Sequence, residues 1–185
     1  MLLLGLYIYL KEDRKMDKNI RMSSVVFLDV DGVLNTRRTC VQAPSGIYVG
    51  VDDARIAILA NAMKETGADG VVLTTTWKAM REDEEDYVYL RESLDKYGIK
   101  ILGKTKEEKF SEREEGILKY LELHPEIEEY IILDDQHFGF QDYSKLWESF
   151  IDTQGRGVEH SIAASKTPSV QAILFLDAIK KYANE

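Results

Sequence analysis

The sequence predicts an α/β protein, a three-layer sandwich in which helices cover both faces of a central parallel sheet. Three observations predict it. Short apolar, β-branched runs alternate with helical patterns, the order of elements that builds a parallel sheet. The runs are apolar at nearly every position rather than at every second one, the mark of strands buried on both faces. The chain has 185 residues, 44% of them hydrophobic. That length suits one domain burying roughly 70% of its unfolded surface and leaves little room for two.

The opening Met1-Leu-Leu-Leu-Gly-Leu-Tyr-Ile-Tyr-Leu10 is too short for a membrane span, which needs about 20 apolar residues. It lacks the basic front and small-residue cleavage site of a secretory signal. Residues 1–19 are therefore read as a flexible extension, with Met16 and Met22 as alternative starts, and residues 20–185 as the single domain. Ser24 to Val30 is the first strand. Residues 36–51 show no periodicity. Asp52 or Asp53 caps a helix whose apolar Ile56, Leu59, Ala60 and Met63 fall on one stripe, and Gly67 ends it. Gly70 to Thr74 is the second strand. A helix with Tyr87, Leu90, Leu94 and Tyr97 on one stripe stops at Gly98, and Ile99 to Leu102 is the third strand. A charged helix from about Ser111 to Leu123 closes at His124-Pro125, and Tyr130 to Asp134 is the fourth strand. A weak strand follows at Phe150 to Thr153. The last helix has Thr167 as cap, Pro168 in its first turn and Val170, Ile173, Leu174 and Leu176 behind.

With 33 acidic against 24 basic residues the net charge is −9. That balance argues against a protein that coats DNA or anionic membrane through bulk charge, and against stable membrane association, while leaving a local basic patch open. The single cysteine, Cys40, excludes a disulfide framework and a multi-cysteine metal site, and suits a reducing cytosol.

In a parallel sheet, ligands bind beyond the carboxyl ends of the strands. Strand one leaves as Asp29-Val-Asp31-Gly32, strand two as Thr74-Thr75-Thr76-Trp77-Lys78 and strand four as Asp134-Asp135. Four carboxylates and a row of hydroxyls thus converge on one edge, where the carboxylates repel unless a hard cation or shared protons offset them. Oxygen ligands without cysteine or clustered histidine favour magnesium over zinc.

Phe27-Leu-Asp-Val-Asp-Gly-Val-Leu-Asn35 resembles the first motif, DxDGxxx(T/N), of the haloacid dehalogenase (HAD) superfamily of phosphohydrolases. Val71-Val-Leu-Thr74 resembles its second motif and Ile131-Ile-Leu-Asp-Asp135 its fourth. The order Thr75-Thr76-Trp77-Lys78, Gly103-Lys104-Thr105, Arg113-Glu-Glu-Gly-Ile117 and Leu133-Asp-Asp135 is similar to a cap-less branch, the HAD domain of "Swiss army knife" RNA-repair proteins. The resemblance covers residues 24 to 155. Lys78 replaces the usual Arg, and Gly116 stands where the helix usually carries Glu.

The resemblance implies a Rossmann-like, HAD-like sandwich with no cap domain, and a division of labour among its residues. Asp29 would attack phosphorus and form an aspartyl phosphate, splitting one hard displacement into two easier ones. Asp31 would protonate the leaving oxygen and then deprotonate the attacking water. Magnesium would be held by Asp29, the backbone carbonyl of Asp31, Asp134 and Asp135. Thr74 would hydrogen-bond a phosphoryl oxygen, and Arg113 would balance the charge, with Lys104 and Lys109 behind it.

Other readings compete. A calcium loop would continue with a third oxygen ligand before the glycine and a distal Glu; here the Asp-x-Asp-Gly follows an apolar strand. Asp134-Asp135 alone could cap a helix, Thr74 to Thr76 could reflect plain β-propensity, Trp77 belongs more naturally to a core than to a stacking platform, and Arg113 alone reads as a solvated helix residue. Gly98 to Thr105 matches the phosphate-loop pattern GxxxxGK(S/T), but a strand inside the motif and a helix before it defeat the strand, loop, helix order that a phosphate cradle needs. No Arg follows Cys40 closely enough to make it a phosphatase nucleophile.

Neither interval between motifs, Asp31 to Thr74 or Lys78 to Lys104, is long enough for a lid domain, so the site is expected to be open to solvent. An open site suits a phosphate on something large that itself covers the metal. Arg37 and Arg38 after the nucleophile, with Thr75, Lys78, Lys104 and Lys106 at other strand ends, form the candidate substrate-binding rim. The expected function is a magnesium-dependent phosphatase acting on nucleic-acid ends or nucleotides. A phosphoprotein or small-metabolite phosphatase, and a non-catalytic binding module on the same fold, are the alternatives.

Overall fold

The computed structural model describes residues 23–106 and 112–184. The proposed N-terminal extension and Lys109 lie outside the described residues. Six strands form one sheet: β1 Ser23–Leu28, β2 Gly70–Leu73, β3 Ile101–Lys104, β4 Ile127–Asp134, β5 Phe150–Asp152 and β6 Ile162–Ala163, in the order β3-β2-β1-β4-β5-β6. The first five are parallel, and β6 pairs antiparallel with β5 at the edge. Among the described residues, α-helices α1 Asp53–Thr66, α2 Glu85–Asp95, α3 Arg113–Leu123 and α4 Ser144–Glu148 lie between strands, and α5 Val170–Tyr182 follows the last one. This is the Rossmann-like sandwich that the resemblance implies.

Period-two alternation divides the strand residues between two cores. Val26 and Leu28 of β1, with Val71, Leu73, Ile131 and Leu133, pack under α1, α2 and α5 through Ile56, Leu59, Leu90, Leu94, Phe175 and Ile179. Val25 and Phe27, with Val72, Ile132 and Phe150, pack on the other face under Ile117 of α3, Leu146 of α4 and Phe140. Burial on both faces is what the near-continuous apolar runs require.

Helix ends follow local chemistry, and several differ from the expected positions. Asp52 caps α1 by accepting from the Ala54 N–H at 2.9 Å, and Gly67 ends it in the left-handed conformation at φ 81°. The third strand begins two residues later than expected, because Ile99 is spent closing α2: its N–H bonds the Leu94 carbonyl at 3.1 Å and its side chain is buried. Tyr97 correspondingly lies beyond the helix. Ser169, not Thr167, caps α5, accepting from the Ala172 N–H at 3.1 Å, while the Thr167 N–H is taken by Ser165 Oγ. The buried stripe of α5 is therefore Ala172, Phe175, Leu176 and Ile179, and Val170 is exposed. Strand β3 runs through the phosphate-loop look-alike, with Lys104 paired to Leu73 in its register, so that motif does not form a loop entering a helix.

The segment between β5 and β6 is fastened to the loop after β1. Thr153 Oγ1 donates to the Gly32 carbonyl at 2.9 Å, the Gly157 N–H donates to the same oxygen at 3.1 Å, and the Val158 N–H donates to the Val33 carbonyl at 2.9 Å. Arg55 of α1 clamps it from outside through Glu159 at 2.8 Å. Gly157 sits at φ 100°, and a Cβ there would collide with Arg55 Nε and Glu159 Oε2. Gly157→Ala is expected to cost about 2 kcal/mol of stability, through left-handed strain and loss of the ion pair. Urea denaturation checks it. Burial raises the Glu159 carboxyl, but the Arg55 hydrogen bonds, a backbone hydrogen bond and the charges of Arg55 and His160 together outweigh it and leave the group below its ordinary 4.5. Its contribution is thus present at neutral pH and lost as the pH falls through the lowered folded-state value. Glu159→Gln should cost about 1 kcal/mol at pH 7 and progressively less in acid.

Candidate active site

The carboxyl ends of β1, β2 and β4 bring the expected residues together because the three strands are adjacent and in register. Leu28 pairs with Leu73 on one side and Leu133 on the other, the Thr74 N–H bonds the Leu28 carbonyl at 3.0 Å, and the Asp29 N–H bonds the Leu133 carbonyl at 2.9 Å. Thr74, Asp29 and Asp134 therefore leave the sheet at one level. The connectivity reverses between β1 and β4, which opens the crevice where such sheets bind ligands.

Oxygens of Asp29, Asp134 and Asp135 lie within 4.8 Å of one another. Asp29 is 4% exposed and Asp134 fully buried. Burial, then the charge of Asp134, push the Asp29 carboxyl well above the ordinary carboxylate range against the pull of Arg113. Burial likewise raises Asp134 and Asp135. Arg113, the first residue of α3, is 2% exposed, and its Nη1 reaches Asp29 Oδ1 at 3.0 Å and Asp134 Oδ2. Its guanidinium lies 4.5 Å from the centre of the Phe138 ring, in the turn after β4. That turn is held by Glu114 of the same helix, whose Oε2 accepts the Gly139 N–H at 3.3 Å.

Backbone makes room for Asp135. Gly32 has φ 83°, and a Cβ there would stand 2.6 Å from Asp135 Oδ2; one on Gly155 would stand 3.1 Å from the same oxygen. Both glycines let main chain approach a carboxylate more closely than a side chain would allow.

Asp31 is placed differently. Its carboxylate turns from the acidic cluster, Oδ1 accepting from Asn35 Nδ2 at 2.9 Å and Oδ2 from Trp77 Nε1 at 3.3 Å, with Thr76 Oγ1 at 3.5 Å. Only its backbone thus remains for the metal ligand set expected above. The hydroxyls of Thr74 and Thr75 are buried with no hydrogen-bond partner. A buried hydroxyl without a partner is costly, so Thr74 Oγ1, beside Asp29, is suited to an incoming oxygen. Lys78 stays at the mouth of β2, its Nζ 3.3 Å from the Thr74 carbonyl and 3.1 Å from Thr105 Oγ1. Lys104 does not join the cluster: its ammonium donates to the Met80 carbonyl at 2.8 Å and lies 3.9 Å from the centre of the Tyr87 ring. Arg37, Arg38 and Lys106 are exposed, and among the described residues neither arginine makes an ion pair.

The family model for the HAD domain in Swiss Army Knife RNA repair proteins matches residues 25–160. The chain belongs to this family. No curated protein and no solved structure matches the chain. Membership in this HAD family points to a phosphatase-type hydrolase, and HAD domains generally use Mg2+, which the acidic cluster could hold. Among the described residues no helix is long and apolar enough to cross a membrane.

Reading the strand exits omits β5, and with it Thr153, Gly155 and Gly157, which brace the loop after β1 and flank Asp135. The signal was present, since Thr153-Gln-Gly-Arg-Gly157 is a glycine-rich segment directly after a strand. Mg2+ at millimolar concentration should raise the melting temperature of this HAD domain by several degrees, since a ligand that binds only the folded state adds stability. Gly32→Ala, which thrusts a methyl onto Asp135, should remove that increment. Differential scanning calorimetry with and without Mg2+ measures both.

Proposed function

We propose that this chain is a magnesium-dependent phosphomonoester hydrolase that works through an aspartyl phosphate on Asp29 and acts on phosphorylated nucleic-acid ends. The observation that carries the reading is a buried carboxylate, Asp29, set between Arg113 and the paired Asp134 and Asp135, with the partnerless hydroxyl of Thr74 leaving the next strand at the same level. A purely structural carboxylate gains nothing from a buried and a half-buried like charge beside it.

The donor set suits a hard divalent cation, being all oxygen, acidic and pressed together with raised proton affinity. Asp29, Asp134, Asp135 and the Asp31 carbonyl would hold Mg2+, which supplies neutralisation of phosphate charge. A carboxylate oxygen of Asp29 attacks phosphorus, the bond to the leaving oxygen breaks, and Asp31 gives that oxygen its proton. Asp31 then takes a proton from water as it attacks the phosphorus of the acyl phosphate, and Asp29 departs as carboxylate. Thr74 Oγ1 donates to a phosphoryl oxygen. Arg113 favours the charged forms of Asp29 and Asp134 against burial and their mutual repulsion; burial works against its own charge, but the two carboxylates raise it.

The substrate class rests on access and charge. Both intervals that could carry a lid are occupied by the elements described above, so the mouth stays open, and Arg37 and Arg38 stand exposed on the loop leaving β1. A polynucleotide end brings its own cover and further phosphates for those arginines. The family description, which places such domains in RNA repair proteins, favours the same class.

Turnover of p-nitrophenyl phosphate with Mg2+ tests the chemistry. Asp29→Asn should leave less than about 1% of wild-type turnover with folding intact, since the amide keeps the shape without the attacking charge; retention of a tenth of the rate would end the covalent mechanism. For the substrate class, kcat/KM on a 3′- or 5′-phosphorylated oligonucleotide should exceed that on the mononucleotide and fall with salt. Replacing Arg37 and Arg38 together by Ala should erase the difference, whereas equal efficiency in the wild type would point to a small-molecule substrate.

A further inference from the structure

Trp77 belongs to the Thr75-Thr76-Trp77-Lys78 segment, yet none of the steps above uses it. Its side chain is fully buried, so it cannot serve as a platform for a base or any other part of a substrate. Its indole lies against Tyr48 of the loop between β1 and α1, ring centroids 4.9 Å apart and planes tilted by 48°. The indole N–H points to Asp31 Oδ2 at 3.3 Å. An indole can only donate, and burying that N–H without an acceptor is costly.

The other oxygen of Asp31 is held in the same way. Asn35 Nδ2 donates to Oδ1 at 2.9 Å and to the Val49 carbonyl at 3.1 Å, while Asn35 Oδ1 accepts the Gly32 N–H at 3.3 Å, which fixes the orientation of the amide. Each Asp31 oxygen therefore meets a nitrogen donor that has no lone pair to offer. Neither nitrogen can take the proton of the acid form, and Thr76 Oγ1 reaches Oδ2 only at 3.5 Å, so that proton remains available to a third party. A carboxyl on a loop otherwise has several rotamers, and a general acid must be held close to its productive orientation.

We propose that Trp77 is a positioning residue for proton transfer: its N–H anchors Asp31 Oδ2 and so aims the carboxyl at the leaving oxygen. This rests on Asp31 being the general acid of the phosphatase reading. One strand exit then serves both ends of the reacting bond, Thr74 at the phosphoryl group and Trp77 behind the acid. The loop carrying Tyr48 backs the indole. That loop is itself pinned by Ser45 to Asp86 of α2, and by the Val51 N–H to Tyr89 Oη at 3.1 Å.

Trp77→Phe removes the donor and keeps a ring against Tyr48. Replacing Trp77 by 3-benzothienylalanine, the same bicycle with sulfur for N–H, removes the donor without leaving a gap, and serves if the Phe variant folds poorly. Two substrates are compared at saturation: p-nitrophenyl phosphate, whose leaving group needs little protonation, and glycerol phosphate, whose alkoxide needs it. In either variant the ratio of kcat on glycerol phosphate to kcat on p-nitrophenyl phosphate should fall about tenfold, with both KM values within twofold of wild type. Combined with Asp31→Asn, the Trp77 change should add no further loss on glycerol phosphate, because residues that act as a unit are not additive. An unchanged ratio, or a loss that adds to that of Asp31→Asn, overturns the role of Trp77. If Asp31→Asn alone slows both substrates equally, the general-acid reading fails first, and the role of Trp77 with it.

Discussion

Three buried or half-buried carboxylates crowded at the reversal point of the sheet are the constraint around which the rest of the site is arranged. Asp29, Asp134 and Asp135 repel one another in a medium that strengthens the repulsion. Arg113 offsets part of it by touching Asp29 and Asp134 at once, which is why a guanidinium at the start of a charged helix is buried rather than solvated. Its placement depends on α3 docking by Ile117 against Phe27, Val72 and Ile132, and on Glu114 and Phe138 fixing the turn after β4. The remaining excess of negative charge is what a divalent cation would neutralise.

The second requirement is stiffness. A reacting group tolerates little misplacement, and Asp29 sits where a strand becomes a loop. The segment after β5 supplies the rigidity, with three hydrogen bonds to the Gly32 and Val33 carbonyls and an outer clamp from Arg55 to Glu159. The antiparallel edge strand β6 follows directly and returns the chain toward α5. This bracing fixes the position of the loop that carries Asp31 and Gly32.

The two carboxylates of the Asp-x-Asp-Gly motif lie two residues apart yet occupy different environments. Asp29 is held among charges, while Asp31 is held by neutral donors at the rim of the loop that carries Tyr48. Different surroundings are the means by which one protein assigns opposite tasks to identical groups. The exposed Arg37 and Arg38 lie on that same loop.

Much of this was legible in the sequence. Near-continuous apolar runs determined β1, β2 and β4, because only strands buried on both faces need them, and the polar residues directly after those runs determined Asp29, Asp31, Thr74 and Asp134 as a group. Local capping chemistry determined the start and stop of α1. What tertiary structure alone decided lies where several partners compete for one residue. Ile99 closes α2 instead of opening β3, and Ser169 displaces Thr167 because Thr167 is already held by Ser165. The sequence offers Arg113 first and Lys104 behind it as the balancing cation, and folding separates them, sending the Lys104 ammonium to Met80 and Tyr87 and Arg113 to the carboxylates. Trp77 could be recognised as a core residue from its neighbours in the chain. That its one polar atom meets Asp31 depends on the meeting of two loops 46 residues apart, and contacts at that range leave no periodic trace in a single sequence.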